Sequence, residues 1–169
     1  MARNTTSINV RVLPGSEIKK ISDQLREIDR TLPAKFRKDL KAAAKPLVVQ
    51  AKAAAKEIPI TRPDRRRLRK KIATGIALQV STGKRARIRV VTRMPDSKTA
   101  IIPRGLGSPA GFRHPVFGDA NQWVVQHAAN PANNWFMNSM QNGHADAEAR
   151  IKETLREARR DIVRAGRRH

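Results

Sequence analysis

Five of the six aromatic side chains fall in one short window, from Gly111 to Phe136, and that clustering constrains the fold more than any other feature. Phe112, Phe117, Trp123, Trp135 and Phe136 lie there; the sixth, Phe36, sits in a helical pattern, and the chain has no Tyr. Large rings remove more apolar surface from water per residue than other side chains do. A chain that gathers its few rings in one segment is expected to place its packing anchor there, with Trp123, Trp135 and Phe136 in the core. Locally the window reads as a loop, a tight turn at Phe117-Gly118-Asp119 and a short strand over 122–127. Asn130-Pro131 breaks that strand, and Trp135-Phe136 open a last helical region. Phe112 and His114 suit a core or an interface equally well, since loops often carry binding groups.

The rest of the chain supplies ordinary periodic elements. Ile8, Val10 and Val12 alternate with Asn9 and Arg11, so 1–15 reads as an N-terminal strand ended by Pro14-Gly15. Ser16 suits a helix N-cap, and Ile18, Ile21, Leu25, Ile28 and Leu32 recur at helical spacing. Pro33 suits the first turn of a second helix reaching about Glu57, and Pro46 should kink it. Residues 16–57 are therefore a helical region, with an Ala-rich face suited to a helix laid across a sheet. In 58–130, Ile76, Leu78 and Val80 alternate, a turn follows at Ser81–Lys84, and Ala86, Ile88 and Val90 alternate again. That is a β-hairpin. An excursion loop over 94–110, rich in Pro and Gly, leads to the aromatic strand. Taken from Met94 to Phe117 the loop is too long for a mere connection and invites a partner, and Ile101, Ile102, Phe112, His114 and Phe117 are the residues it would bury against a neighbour. Asn142-Gly143 reads as a break within 131–169, a basic C-terminal helical region with Ile151, Leu155, Ala158 and Ile162 on one face. The sum is a single α+β domain over 1–169. About four mostly antiparallel strands pack against a long kinked helix, with a C-terminal helix to follow.

Charge narrows the partners. Lys and Arg number 36 against 14 Asp and Glu, a net charge of +22 that repels itself unless anions are near. The densest run holds Arg65, Arg66, Arg67, Arg69 and Lys70 and reads as a phosphate-contacting loop. Arg85, Arg87 and Arg89 recur one pleat apart on the second hairpin strand and would face DNA. The plain alternative for both is a solvated, charged surface. Phosphate contacts give affinity without sequence preference. No helix-turn-helix, zinc-finger or base-stacking pattern accompanies them, so sequence-specific reading is not expected. No apolar run is long enough to span a bilayer, and the start, MARNTTSINV, lacks a signal-peptide core. A soluble protein that is not exported is expected, with no membrane partner. The absence of Cys excludes disulfides and thiolate metal sites.

Catalytic patterns are weak throughout. Gly105-Leu106-Gly107-Ser108-Pro109-Ala110 spells a relaxed dinucleotide fingerprint, but Pro109 and its surroundings deny it the strand-turn-helix it needs. Gly83-Lys84 lacks the upstream Gly of a phosphate loop, and Ser108 has no nucleophile-elbow context. His114 and His127 have no third ligand at metal spacing. Glu153, Glu157 and Asp161 read as partners of neighbouring arginines. No enzyme, metal or cofactor is expected.

The aromatic window also carries a resemblance. Arg113-His114-Pro115-Val116-Phe117-Gly118, then Trp123-Val124, then Trp135-Phe136 entering the last helix, is similar to head–tail joining or tail-completion proteins in the necks of long-tailed bacteriophages, particularly those infecting actinobacteria. The order of the rest agrees: an Ala-rich helix with Ala44-Lys45-Pro46-Leu47, a basic Arg67-Leu68-Arg69, then a hairpin. The likeness covers about 16–136. It implies an α+β fold and a ring of subunits, commonly a hexamer, around the DNA path, with no catalysis. It further implies a protein made in the host cytoplasm and carried in the virion neck. Its neighbours there would be portal, adaptor or stopper on one side and tail terminator or tail tube on the other, with non-specific contact to DNA in the lumen. The longer basic C-terminal helix departs from that pattern. A tail-terminator ring is the nearest rival, and a non-virion, sequence-independent nucleic-acid-binding protein is the alternative of a different class.

Overall fold

The computed structural model describes residues 15–59, 67–96, 99–108, 110–116, 119–126 and 134–167. The chain is α+β. Its elements in order are α1 (Gly15–Ile28), α2 (Leu32–Ala43), α3 (Lys45–Lys56), α4 (Leu68–Gly75), β1 (Ile76–Ser81), β2 (Arg87–Thr92), α5 (Ile102–Leu106), β3 (Phe112–Val116), β4 (Asp119–Gln126) and α6 (Trp135–Gly166). The strands form two separate two-stranded sheets, β1-β2 and β3-β4. The link between β1 and β2 is far too short for a parallel crossover, so both pairs are antiparallel. The expected strand over 7–13, the Phe117-Gly118 turn and the break at Asn130-Pro131 lie outside the described residues.

These elements gather into two compact units. The helical unit comprises 15–48, 78–90 and 143–167. In α1, Ile18, Ile21, Ser22 and Leu25 are buried, the i, i+3, i+4, i+7 spacing of an amphipathic helix. The sequence pattern predicts that helix continuing to Leu32, but it stops at Ile28. Asp29 is the cause: its carboxylate accepts the backbone N–H of Thr31 at 2.6 Å and the Thr31 hydroxyl at 2.7 Å, which fixes a turn. α2 then starts with Pro33 in its first turn and packs on α1, burying Phe36 and Leu40. The chain bends at Ala44, two residues before Pro46, which has no N–H to give and crowds the preceding turn. From α6 this unit buries Ala147, Ile151 and Leu155, and Arg159 reaches Glu17 of α1.

The second unit comprises 49–77 and 91–142 and bears the aromatic window. Ala51, Ala55, Ile58, Ile72, Ile76 and Val91 are among its buried aliphatics. Trp135 and Phe136 complete this core, packed edge to face with ring centroids 5.4 Å apart. The Trp135 indole donates to the Pro103 carbonyl at 3.2 Å and so ties the start of α6 to α5. At the base of β1, Gly75 touches β2's exit. The Arg93 N–H donates to the Gly75 carbonyl at 2.9 Å, and a Cβ on Gly75 would stand 1.9 Å from the Arg93 oxygen. Gly83, in the turn between the same strands, has nothing within 4 Å of such an atom.

Three further expectations are corrected. The basic run, expected as a loop, is helical from Leu68 onward, because Ile72 and Ala73 bury one face of α4. The excursion loop contains α5 and leads directly into β3, which replaces the loop expected before the turn. Asn142-Gly143 breaks nothing: α6 runs 32 residues through it, with Gly143 buried in the packed face.

Candidate functional site

Three surfaces hold the residues singled out above. The first is the start of α4. Arg67 precedes that helix in the left-handed conformation, φ 52°, the one non-glycine residue with positive φ among those described. A side chain there stores about 1–3 kcal/mol of strain, held by surrounding structure. Its carbonyl accepts the Lys71 N–H at 2.9 Å. Arg69, Lys70 and Lys71 occupy the first turn, at the positive end of the helix, and α4 has no acid at all. Cations at that end are unfavourable, and an anion nearby relieves them. Arg67 and Lys70 are exposed and Arg69 is half-buried. Arg65 and Arg66 lie outside the described residues.

The second is the β1–β2 hairpin, where the expected row of three cations is shorter. Arg85 sits in the turn, off the strand; Arg87 opens β2 and is exposed. Arg89 is half-buried, and its Nε donates to Gln79 Oε1 across the sheet at 2.7 Å. That guanidinium is occupied by its own hairpin. The α4 cations and the hairpin-tip cations belong to different units.

The third surface is the arm formed by β3 and β4. Its register sets Phe112 opposite Gln126, Arg113 opposite Val125, His114 opposite Val124 and Pro115 opposite Trp123. Residues directly opposite share a face of an antiparallel pair. One face therefore carries Phe112, His114 and Val124. Phe112 lies on Gly105 of α5, where a Cβ would meet its ring at 2.4 Å, and the His114 ring is 5.8 Å away. His114 Nδ1 donates to the Pro115 carbonyl at 3.0 Å. The other face carries Arg113, Pro115, Trp123 and Val125. All eight residues of β4 are exposed.

Trp123 is therefore not a core anchor. It is 50% exposed, with Val124 at 42% and Val125 at 49%. Its indole donates to the Ala120 carbonyl at 2.7 Å, and the Arg113 guanidinium stacks 5.8 Å from the ring. The reason is the register. It turns Trp123 away from α5, and no described element covers that face. Trp123-Val124-Val125 is also a contiguous run, which gives neither face of β4 a clean apolar set. Ile101 is 48% exposed and Ile102 half-buried, while Phe117 lies outside the described residues.

Beside the core of the same unit, the end of α3 and the start of α6 leave an open groove of about 470 Å³. Ala53, Ala54, Glu57, Trp135, Asn138 and Asn142 line it. Gln50 adds a buried Oε1 that has no hydrogen-bond partner among the described residues. The α6 wall of the groove and the arm beyond Arg113 share a property the sequence reading missed. Between Arg113 and Arg150 the chain has no Lys or Arg, so a strongly basic protein has kept this segment free of positive charge. The gap in the cations was the signal available.

On α6 the acids pair locally: Asp146 with Arg150, Glu148 with Lys152, and Glu153 with Arg156 and Arg160. Lys152 holds the Glu148 carboxyl below its usual range, and Arg156 and Arg160 do the same for Glu153. Among the described residues no group of three or more His, Asp or Glu is disposed to hold a metal, and no helix is long and apolar enough to cross a membrane. In comparisons with known proteins, no family model, curated protein or solved structure matches the chain.

Proposed function

We propose that this chain is a structural virion protein of the phage neck, one of a ring of subunits that joins head to tail around the DNA path. The observation that carries the reading is the bare arm. A two-stranded hairpin is marginal by itself in water, and this one also leaves Trp123, Val124 and Val125 open. An apolar edge strand of that kind is a liability in a monomer and a docking surface in an assembly. The arm's strands, β3 from Phe112 to Val116 and β4 from Asp119 to Gln126, carry Arg113 to Val116 and Trp123-Val124 of the motif that resembles neck proteins. The exposed cations Arg67, Lys70, Arg85 and Arg87 suit loose, sequence-blind contact with passing phosphates. The ring's neighbours would be the portal or stopper side and the tail-terminator or tail-tube side, and the protein acts without catalysis or cofactor.

A tail-terminator ring uses the same features and is the nearest rival. A sequence-independent nucleic-acid binder outside the virion would need the charge but has no use for the arm. Quantitative mass spectrometry of purified particles tests the choice. A few copies per particle, in fixed ratio to the portal, are expected. Absence from particles with abundance in infected-cell lysate would overturn the neck reading in favour of the nucleic-acid binder.

A further inference from the structure

We propose that copies of this chain join arm to groove: the outer face of one copy's β3–β4 arm seats in the α3–α6 groove of the next. The inference deepens the ring reading and rests on it for its setting. Charge and shape both favour the contact. At +22, two copies repel over most of their surfaces and can approach only where positive charge is missing. The arm's outer face carries Pro115, Trp123 and Val125 with a single cation, Arg113. Among the described residues the groove lining holds no cation and one acid, Glu57, which is exposed and makes no ion pair, while Lys52 and Lys56 of α3 stand outside the lining. One face thus offers an apolar ridge with one positive charge, and the other an open hollow with one negative charge.

The sizes agree as well. An open groove of about 470 Å³ admits the Trp123 ring with Val125 beside it, and a ring seated there would lose much of the roughly 150–250 Å² that a buried aromatic withdraws from water. Ala53 and Ala54 keep the α3 wall low, and the nearly buried Trp135 closes the groove on the α6 side. Nucleic acid is a poor occupant of the arm, since Arg113 is its only cation and already stacks on Trp123. Two arms packed face to face would bring Arg113 towards its own twin and leave Glu57 unmatched. Ridge and hollow are different surfaces of the same unit, so the contact is heterologous, and heterologous contacts close into rings when the rotation permits.

The chain's lack of Cys makes the test clean, because every introduced thiol is unique. Val125→Cys copies are mixed with Ala53→Cys copies at about 1 M salt, where screening shortens the reach of the charges to about 3 Å. A short bis-maleimide is then added. Cross-linked dimers are expected from the mixture and not from either variant alone, and the doubly substituted chain should give a ladder ending in a closed ring. Cross-linking of Val125→Cys alone, which would mean arm against arm, overturns the proposal, and so does the absence of product from the mixture.

A second step reads the ion pair at lower salt. Adding Arg113→Glu to the Val125→Cys chain should cut the product by about tenfold or more, and adding Glu57→Arg to its partner should restore it. Arg113 and Glu57 are both exposed, so circular dichroism should find each variant folded. Failure of the restoration overturns the pairing. The two readings fail separately. Particles that carry the protein in fixed ratio while the mixture gives no product keep the neck and lose this interface; a ladder from a chain absent from particles does the reverse.

Discussion

Ile88, Val90 and Val91 of β2 are shut away from water, whereas all eight residues of β4 are open to it, although each strand belongs to a two-stranded antiparallel sheet. Local sequence explains why both are strands. It does not explain the difference, which lies in what else covers each pair. β2 has its alternating Ile88 and Val90 on a covered face and is tied to β1 by the Arg89–Gln79 hydrogen bond. β4 spends its apolar residues consecutively, and only the Phe112 face of its partner strand rests on α5. A hairpin is a unit of hydrogen bonding; whether it belongs to the core is decided by a third element.

The largest effect should come from the covered hairpin. Ile76→Ala removes a side chain only 2% exposed at the start of β1, and a loss of about 2–5 kcal/mol is expected in a denaturant melt of the isolated chain. A loss well under 1 kcal/mol would mean that β1–β2 is no better covered than the arm. Next comes Trp123→Ala, the largest side chain of the bare hairpin. It gives up the Arg113 stack and its own bond to Ala120 but little burial, so the change should stay within about 1 kcal/mol. A cost of several kcal/mol would erase the contrast between the hairpins and return Trp123 to the core.

The smallest effect should be that of acid, and it acts outside both hairpins. Asp23 is held low by its bond to Lys19, Asp29 by the Thr31 N–H, Glu148 by Lys152 and Glu153 by Arg156 and Arg160. A carboxylate lowered in the folded state contributes its full share above the unfolded value, about 4, and loses it as the pH falls through the folded value. All four groups lie on α1, the α1–α2 turn and α6, and all are screened by solvent. Thermal melts followed by helical circular dichroism should show a modest drop in stability below about pH 4. A rise on acidification would contradict the sign.

Much of the fold was legible because periodicity and proline carry it. Ile18, Ile21 and Leu25 marked α1, Pro46 marked the bend between α2 and α3, and Ile76, Ile88 and Val90 marked the covered hairpin. Trp135 and Phe136 lie in the core as their size suggested. α4 was hidden because Ile72 and Ala73 supply its only buried face beneath a cover of cations. α6 was divided at Asn142-Gly143 because local propensity weighs against helix there, while tertiary burial of Gly143 outweighs it. The site was less legible than the fold. Arg89 could not be seen to be engaged, since its partner Gln79 lies ten residues away across a sheet. Trp123 was misplaced because ring size speaks for burial somewhere, and sequence alone does not say whether the covering surface belongs to the same copy.

Gly75 and Gly83 bracket one strand and stand under opposite rules. At 75 the Arg93 carbonyl occupies the space of a first side-chain atom, and a backbone group cannot swing aside as a flexible side chain does. At 83 no described atom stands within 4 Å of that space. Over generations of replication, changes at 75 would be removed as fast as they arise, whereas those at 83 would drift. Descendants of this sequence should keep a glycine at the first position and carry assorted residues at the second, so that the close approach of β1 and β2 is written into their variation.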